Sequence, residues 1–100
     1  MLVNVVFTYD YDLIDVPQEL VKQIKKLQLK CDKWLYNKEN EHELWIKEGS
    51  DTKFAVNTCS EAFVHWLNTF VLADPNNKAR IVDKDKPMDS IDKDLPTIYY

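Results

Sequence analysis

LVNVVFTY (residues 2–9) followed by DYDLIDVP (10–17) is the stretch on which the fold turns. The first eight residues are rich in β-branched and aromatic side chains. Alternation puts Val3, Val5, Phe7 and Tyr9 on one face and Leu2 and Val6 on the other. Two apolar faces predict a strand near the middle of a sheet. The next eight residues carry Asp10, Asp12, Asp15 and Pro17 and read as a turn into a helix.

Asp15 is the expected N-cap of that helix, with Pro17 in its first turn, where a missing N–H costs nothing. Leu20, Ile24, Leu27, Cys31, Trp34 and Leu35 form a core stripe at near-heptad spacing, and the pattern fades over residues 37–41. HELWIK (42–47) and KFAVN (53–57) alternate around EGSD (48–51), which predicts a hairpin with Gly49 in its turn. Thr58 with Glu61 has the spacing of a capping box for a second helix. That helix is expected to run to about Ala73 and to end at Asp74-Pro75. ARIV (79–82) reads as a short strand. DKDKPMDSIDKDLPTIYY (83–100) reads as a charged tail, partly loop, whose TIYY can pair with a sheet edge or pack on a helix.

The order β-α-β-β-α-β is that of the ferredoxin-like fold. It predicts an antiparallel four-stranded sheet with both helices on one face and strands 1 and 3 in the centre. The alternative is an α+β meander in which ARIV is loop and TIYY is the last strand. One hundred residues suffice for a single domain, placed at 1–83, with the tail at 84–100 packing back on it as an option.

Composition narrows the function classes. A single glycine excludes glycine-rich phosphate loops. The net charge of −4 favours solubility and disfavours general adhesion to nucleic acid or anionic lipid. No apolar run approaches the ~20 residues of a membrane span. The start has no basic region or cleavage site, so it reads as a strand and not a signal peptide. Cys31 and Cys59 are expected as free thiols in a reducing, cytoplasmic setting.

CSEAFVHWLN (59–68) gathers a thiol, a hydroxyl, a carboxylate and an imidazole. Within one helix, Cys59 and His65 stand about 9 Å apart along the axis and about 120° around it, too far for a nucleophile and its base. Cys59 falls with Phe63, Trp66 and Phe70 on the core stripe. Ser60 is expected as polar surface, and His65, Glu61 and Asn68 form a polar seam facing solvent. His42 can reach a site only through folding. Asp10, Asp12 and Asp15 open like a calcium loop but lack its glycine and its final glutamate, where Val21 stands. No zinc-ligand spacing occurs. These residues call for no catalytic group, metal or cofactor.

The first helix is the more informative surface. Residues 16–38 hold six lysines against Glu19 and Asp32, a local +4, which leaves −8 for the rest of the chain. Leu29 and Tyr36 project among the lysines, off the core stripe, and ask for cover. The acidic tail (Asp89, Asp92, Asp94) is one candidate cover, and a partner surface is the other. The second helix has a surplus too: its apolar arc spans about 200°, where one sheet needs little over 100°. Val64, Leu67 and Val71 must therefore meet the first helix, the tail or another chain.

The expected function is a non-catalytic protein-binding module that inhibits or regulates another protein. The expected surface is Lys22, Lys25, Lys26, Leu29, Lys33 and Tyr36, with exposed Tyr9, Tyr11, Tyr99 and Tyr100 as further interface material. A second copy of the chain is a further candidate partner. One alternative is nucleic-acid binding through the lysine face, which a single arginine, Arg80, serves poorly. The other is a small ligand-binding or thiol-enzyme domain, marked by a cavity holding Cys59, His42 or His65.

Overall fold

The computed structural model describes residues 1–49 and 52–100. It is an α+β structure with two sheets. β1 (Leu2–Val6) and β2 (Asp10–Asp15) form an antiparallel hairpin, paired from Leu2↔Asp15 to Val6↔Tyr11. Its turn closes where the Phe7 N–H donates to the Asp10 carbonyl at 2.8 Å. The stretch expected as turn is therefore a strand. Aspartate is rare in strands because it competes for backbone bonds, but the carboxylates of Asp12 and Asp15 find partners elsewhere in the fold.

A 3-10 segment (Gln18–Gln23) follows, then α1 (Ile24–Leu35). Asp15 does not cap it: no side chain caps either segment, and Asp15 reaches Arg80 at 3.4 Å instead. The core stripe holds, with Leu20, Ile24, Leu27, Cys31 and Leu35 buried. β3 (Trp45–Glu48) and β4 (Thr52–Val56) form the expected hairpin, and Gly49 adopts φ +71°, the left-handed region that glycine enters cheaply. Ser50 and Asp51 of the expected turn lie outside the described residues. Among the described residues the hairpin is a sheet of its own and pairs with no strand of the larger one.

α2 (Ser60–Trp66) runs on into a π-helical turn (Leu67–Val71). β5 (Arg80–Pro87) is twice as long as ARIV and is bulged twice against β2. The chain then passes a 3-10 turn (Met88–Ser90) and ends in β6 (Thr97–Tyr99), parallel to β1. Residues 84–100 thus supply the end of one strand and all of another, and both ARIV and TIYY are strand.

The strand order is β5-β2-β1-β6. This mixed sheet is not the antiparallel ferredoxin-like sheet that the element order predicts. The strand expected beside β1 in the centre, residues 53–57, sits in the separate hairpin, and β2 takes its place. Pairing sets the faces. Val3 lies opposite Ile14 and Val5 opposite Ile98, and all four join the core cluster with Leu27, Cys31 and Leu35 of α1 and Phe63 of α2. The other face carries Asn4, Val6 and Tyr11, all buried. The β5–β6 connection covers it. The Tyr11 hydroxyl donates to the Ser90 carbonyl at 3.1 Å, and Asn4 Nδ2 donates to the Asp92 carbonyl at 2.8 Å.

Tyr11 and Ser60, expected at the surface, are both inside. Asp12 faces α2 at 3% exposure, and its Oδ2 accepts the Ser60 hydroxyl at 2.5 Å. Its Oδ1 accepts the Asp85 N–H at 2.9 Å, within a β5 bulge where Asp85 holds φ 55°. One carboxylate thus ties β2 to β5 and to the start of α2. Asn68, expected to face solvent, clamps both backbone groups of Ala79 at 2.8 and 3.0 Å and steers the chain into β5.

Two substitutions test this packing. Ile98→Ala should lower unfolding free energy by about 2–5 kcal/mol, because it empties a fully buried site. Ser60→Ala should cost about 1–3 kcal/mol, because one oxygen of Asp12 loses its buried donor. Urea denaturation measures both, and a loss no larger than that of a surface change would contradict the placement of β6 or of Asp12.

Candidate functional site

Two regions bring together residues singled out in the sequence. The first is the outward face of α1 with the segment before it. Lys22, Lys25, Lys26 and Lys33 are exposed, as are Leu29 at 63% and Tyr36 at 52%. Among the described residues, every ion pair lies elsewhere in the fold, and none involves these lysines or Lys30. The acidic tail does not cover them. It crosses the far face of the sheet, and its side-chain bond to α1 runs from Gln28 Nε2 to the Tyr99 carbonyl at 2.6 Å. Tyr36 is steadied by an edge-on contact with Trp45 at 6.4 Å between ring centroids.

The second region is a cleft of about 540 Å³ between the end of α1, residues 41–44 and α2. Its walls include Cys59, His42 and His65 together, with Trp34, Glu43 and Glu61. Folding brings His42 to this place. Its ring lies between Trp34 and Trp45, at 5.4 and 5.0 Å, nearly parallel to Trp45. His42 Nε2 stands 2.8 Å from the Leu35 carbonyl. A carbonyl only accepts, so Nε2 carries hydrogen, and Nδ1 is buried without a partner among the described residues. His42 thus holds two indoles and the end of α1 in register.

The thiols are poorly set for nucleophilic work. Burial raises the Cys59 pKa above its ordinary value, the Glu61 carboxylate adds to the rise, and the Ala62 N–H opposes it. Cys31 is pushed up to about 12, first by burial and then by Asp32. Both are therefore protonated at neutral pH, and the thiolate is the reactive form. His65 is exposed, as its helical position predicts. The capping box does not form. Cys59, not Thr58, is the N-cap of α2, with no side-chain cap bond, and Glu61 turns to Lys84. The Lys84 hydrogen bond holds the Glu61 carboxyl below its usual range.

Asp10, Asp12 and Asp15 lie along β2 and do not converge. Among the described residues no group of three or more His, Cys, Asp or Glu is placed to hold a metal ion, and no helix is long and apolar enough to cross a membrane. Sequence reasoning missed the Asp12–Ser60 bond and the Trp34–His42–Trp45 stack. The first joins residues far apart in the chain and the second depends on how the chain turns back after α1, and neither leaves a periodic signal.

Alkylation of the native protein with iodoacetamide should modify Cys59 more slowly than the unfolded chain, and Cys31 only on global unfolding. The sign follows from the raised pKa values: the folded state keeps its protons to higher pH, so less thiolate is present. A native Cys59 faster than the unfolded thiol would contradict the assignment. Comparisons of the chain with protein-family models, with curated proteins and with solved structures found no match.

Proposed function

We propose that this chain is a non-catalytic protein-binding module, working in a reducing, cytoplasmic setting, that docks an acidic partner through the outward face of α1 and so inhibits or regulates it. One observation carries the reading: Leu29 is 63% exposed among lysines that have no carboxylate partner among the described residues. An apolar group ringed by flexible cationic stems is poorly served by water alone. A partner with carboxylates around an apolar socket would cover Leu29 and Tyr36 and neutralise Lys22, Lys25, Lys26 and Lys33. Opposite charge would steer the encounter, and the buried Leu29 and the Tyr36 ring would supply most of the affinity. The raised Cys59 pKa weighs in the same direction, against thiol chemistry in the cleft. The charge split, +4 on residues 16–38 against −8 elsewhere, keeps the cationic face distinct from the rest of the surface.

The test compares wild type with Leu29→Asp and with the double variant Lys25→Glu, Lys33→Glu as baits in lysate of the source cell, with and without nuclease. Each variant should keep its unfolding free energy within about 0.5 kcal/mol, because the positions are exposed. A partner held by wild type should be lost from both variants by about tenfold or more, and released as salt rises. Equal capture by all three baits would remove this face from the reading. Retention only of nucleic acid, abolished by nuclease, would replace it with the nucleic-acid alternative.

A further inference from the structure

A groove of about 460 Å³ runs between the segment Val21–Lys25 and residues 93–99. Its cationic walls are Lys22, Lys25 and Lys93, its floor includes Ile24, Leu95 and Pro96, and among the described residues no carboxylate lines it. Along one side lies β6, the outermost strand of its sheet. The Pro96 carbonyl accepts from the Asn4 N–H, and the Tyr100 N–H donates to the Val6 carbonyl. Backbone groups alternate in direction along a strand, so those of Thr97 and Tyr99 face the groove. Among the described residues only the Tyr99 carbonyl finds a partner there, and that partner is a side-chain amide, Gln28 Nε2. An exposed strand edge offers a ready template for another chain.

We propose that this groove takes an extended acidic segment of another protein, which adds to the sheet as a strand beside β6. Its backbone would pair with Thr97 and Tyr99, and alternate side chains would set carboxylates against Lys22, Lys25 and Lys93 and apolar groups against the floor. This is recognition by strand addition, in which main-chain bonds give affinity and side-chain pockets give specificity. Charge selects the occupant. Two copies of this lysine-lined edge repel each other, so a second copy of β6 is disfavoured, whereas an acidic strand is attracted. The proposal rests on the reading that the chain binds a protein; it shares Lys22 and Lys25 with that face but not Leu29, so Leu29→Asp tells the two apart.

The probe is a synthetic heptapeptide of alternating Val and Glu, added at up to millimolar concentration to 15N-labelled full chain. Its comparators are the same peptide methylated at alternate backbone nitrogens and an alternating Val and Lys peptide. The Val-Glu peptide should shift the amides of Thr97 and Tyr99. Binding should weaken by about tenfold on backbone methylation and by a similar factor in the double variant Lys22→Glu, Lys25→Glu. Leu29→Asp should leave it unchanged, so loss of docking on the α1 face and loss of the groove are read separately. Equal binding of the methylated peptide, shifts confined to other residues, or no shift at all would overturn the proposal. Shifts of Thr97 and Tyr99 that grow with protein concentration without peptide would give the groove to a second copy and overturn it too.

Discussion

Past Leu2, strand β1 has no side that meets water: Val3, Asn4, Val5 and Val6 are all buried. A strand of that kind needs a neighbour on each edge and cover on each face, and the rest of the chain supplies all four. β2 pairs with one edge and β6 with the other. The helices cover the face of Val3 and Val5, and the β5–β6 connection covers that of Asn4 and Val6. Because β5 and β6 lie on opposite sides of the β2–β1 hairpin, that connection has to cross the sheet. A segment that looks like tail by composition is therefore part of the core.

Two buried polar side chains set the alignment of these layers. Asp12 accepts from Ser60 and from the Asp85 backbone, and Asn4 donates to Asp92 and Thr97. Apolar packing tolerates small slips, but a buried carboxylate that loses a donor does not. The bond from Asp12 holds the first turn of α2 against the bulge of β5. The bonds from Asn4 hold the crossing segment and β6 against β1. The aromatic stack on His42 does similar work for the small hairpin, locking Trp45 of β3 onto the end of α1. These ties leave α1 free on one side, and there the lysines, Leu29 and the groove beside β6 lie next to one another.

Much of this was legible in the residues. Alternation in 2–6, the 42–57 hairpin around Gly49, and the stripe of the first helix each follow from a local period, and a local period survives folding; the expected second stripe holds at Phe63 and Trp66, but Phe70 is exposed and Leu67 is buried in its stead. The outward turn of Leu29 and of the lysines follows from the same stripe, since a helix that buries Ile24, Leu27 and Cys31 must expose the opposite side. The misreadings share a cause. Asp10 and Asp12 have turn chemistry by composition, and Ser60 is polar, but a partner distant in the chain overrode each local preference. Thr58 and Glu61 have the spacing of a capping box, yet Lys84 drew Glu61 away.

The sequence by itself determined the first strand, the 42–57 hairpin, the two helices with the apolar face of the first, and that positive charge collects on residues 16–38, because periodicity and composition are local properties of the chain. Only the tertiary structure decided that β2 rather than the later hairpin neighbours β1, that the last residues close the sheet as a parallel edge strand, and that Cys59, His42 and His65 line one cleft. The β1–β2 hairpin is local, but its place at the centre depends on β5 and β6 pairing with its two edges, and β6 comes from the opposite end of the chain. Long-range pairing is chosen by the joint burial of two faces and the satisfaction of buried polar atoms, and no single window of sequence contains both partners.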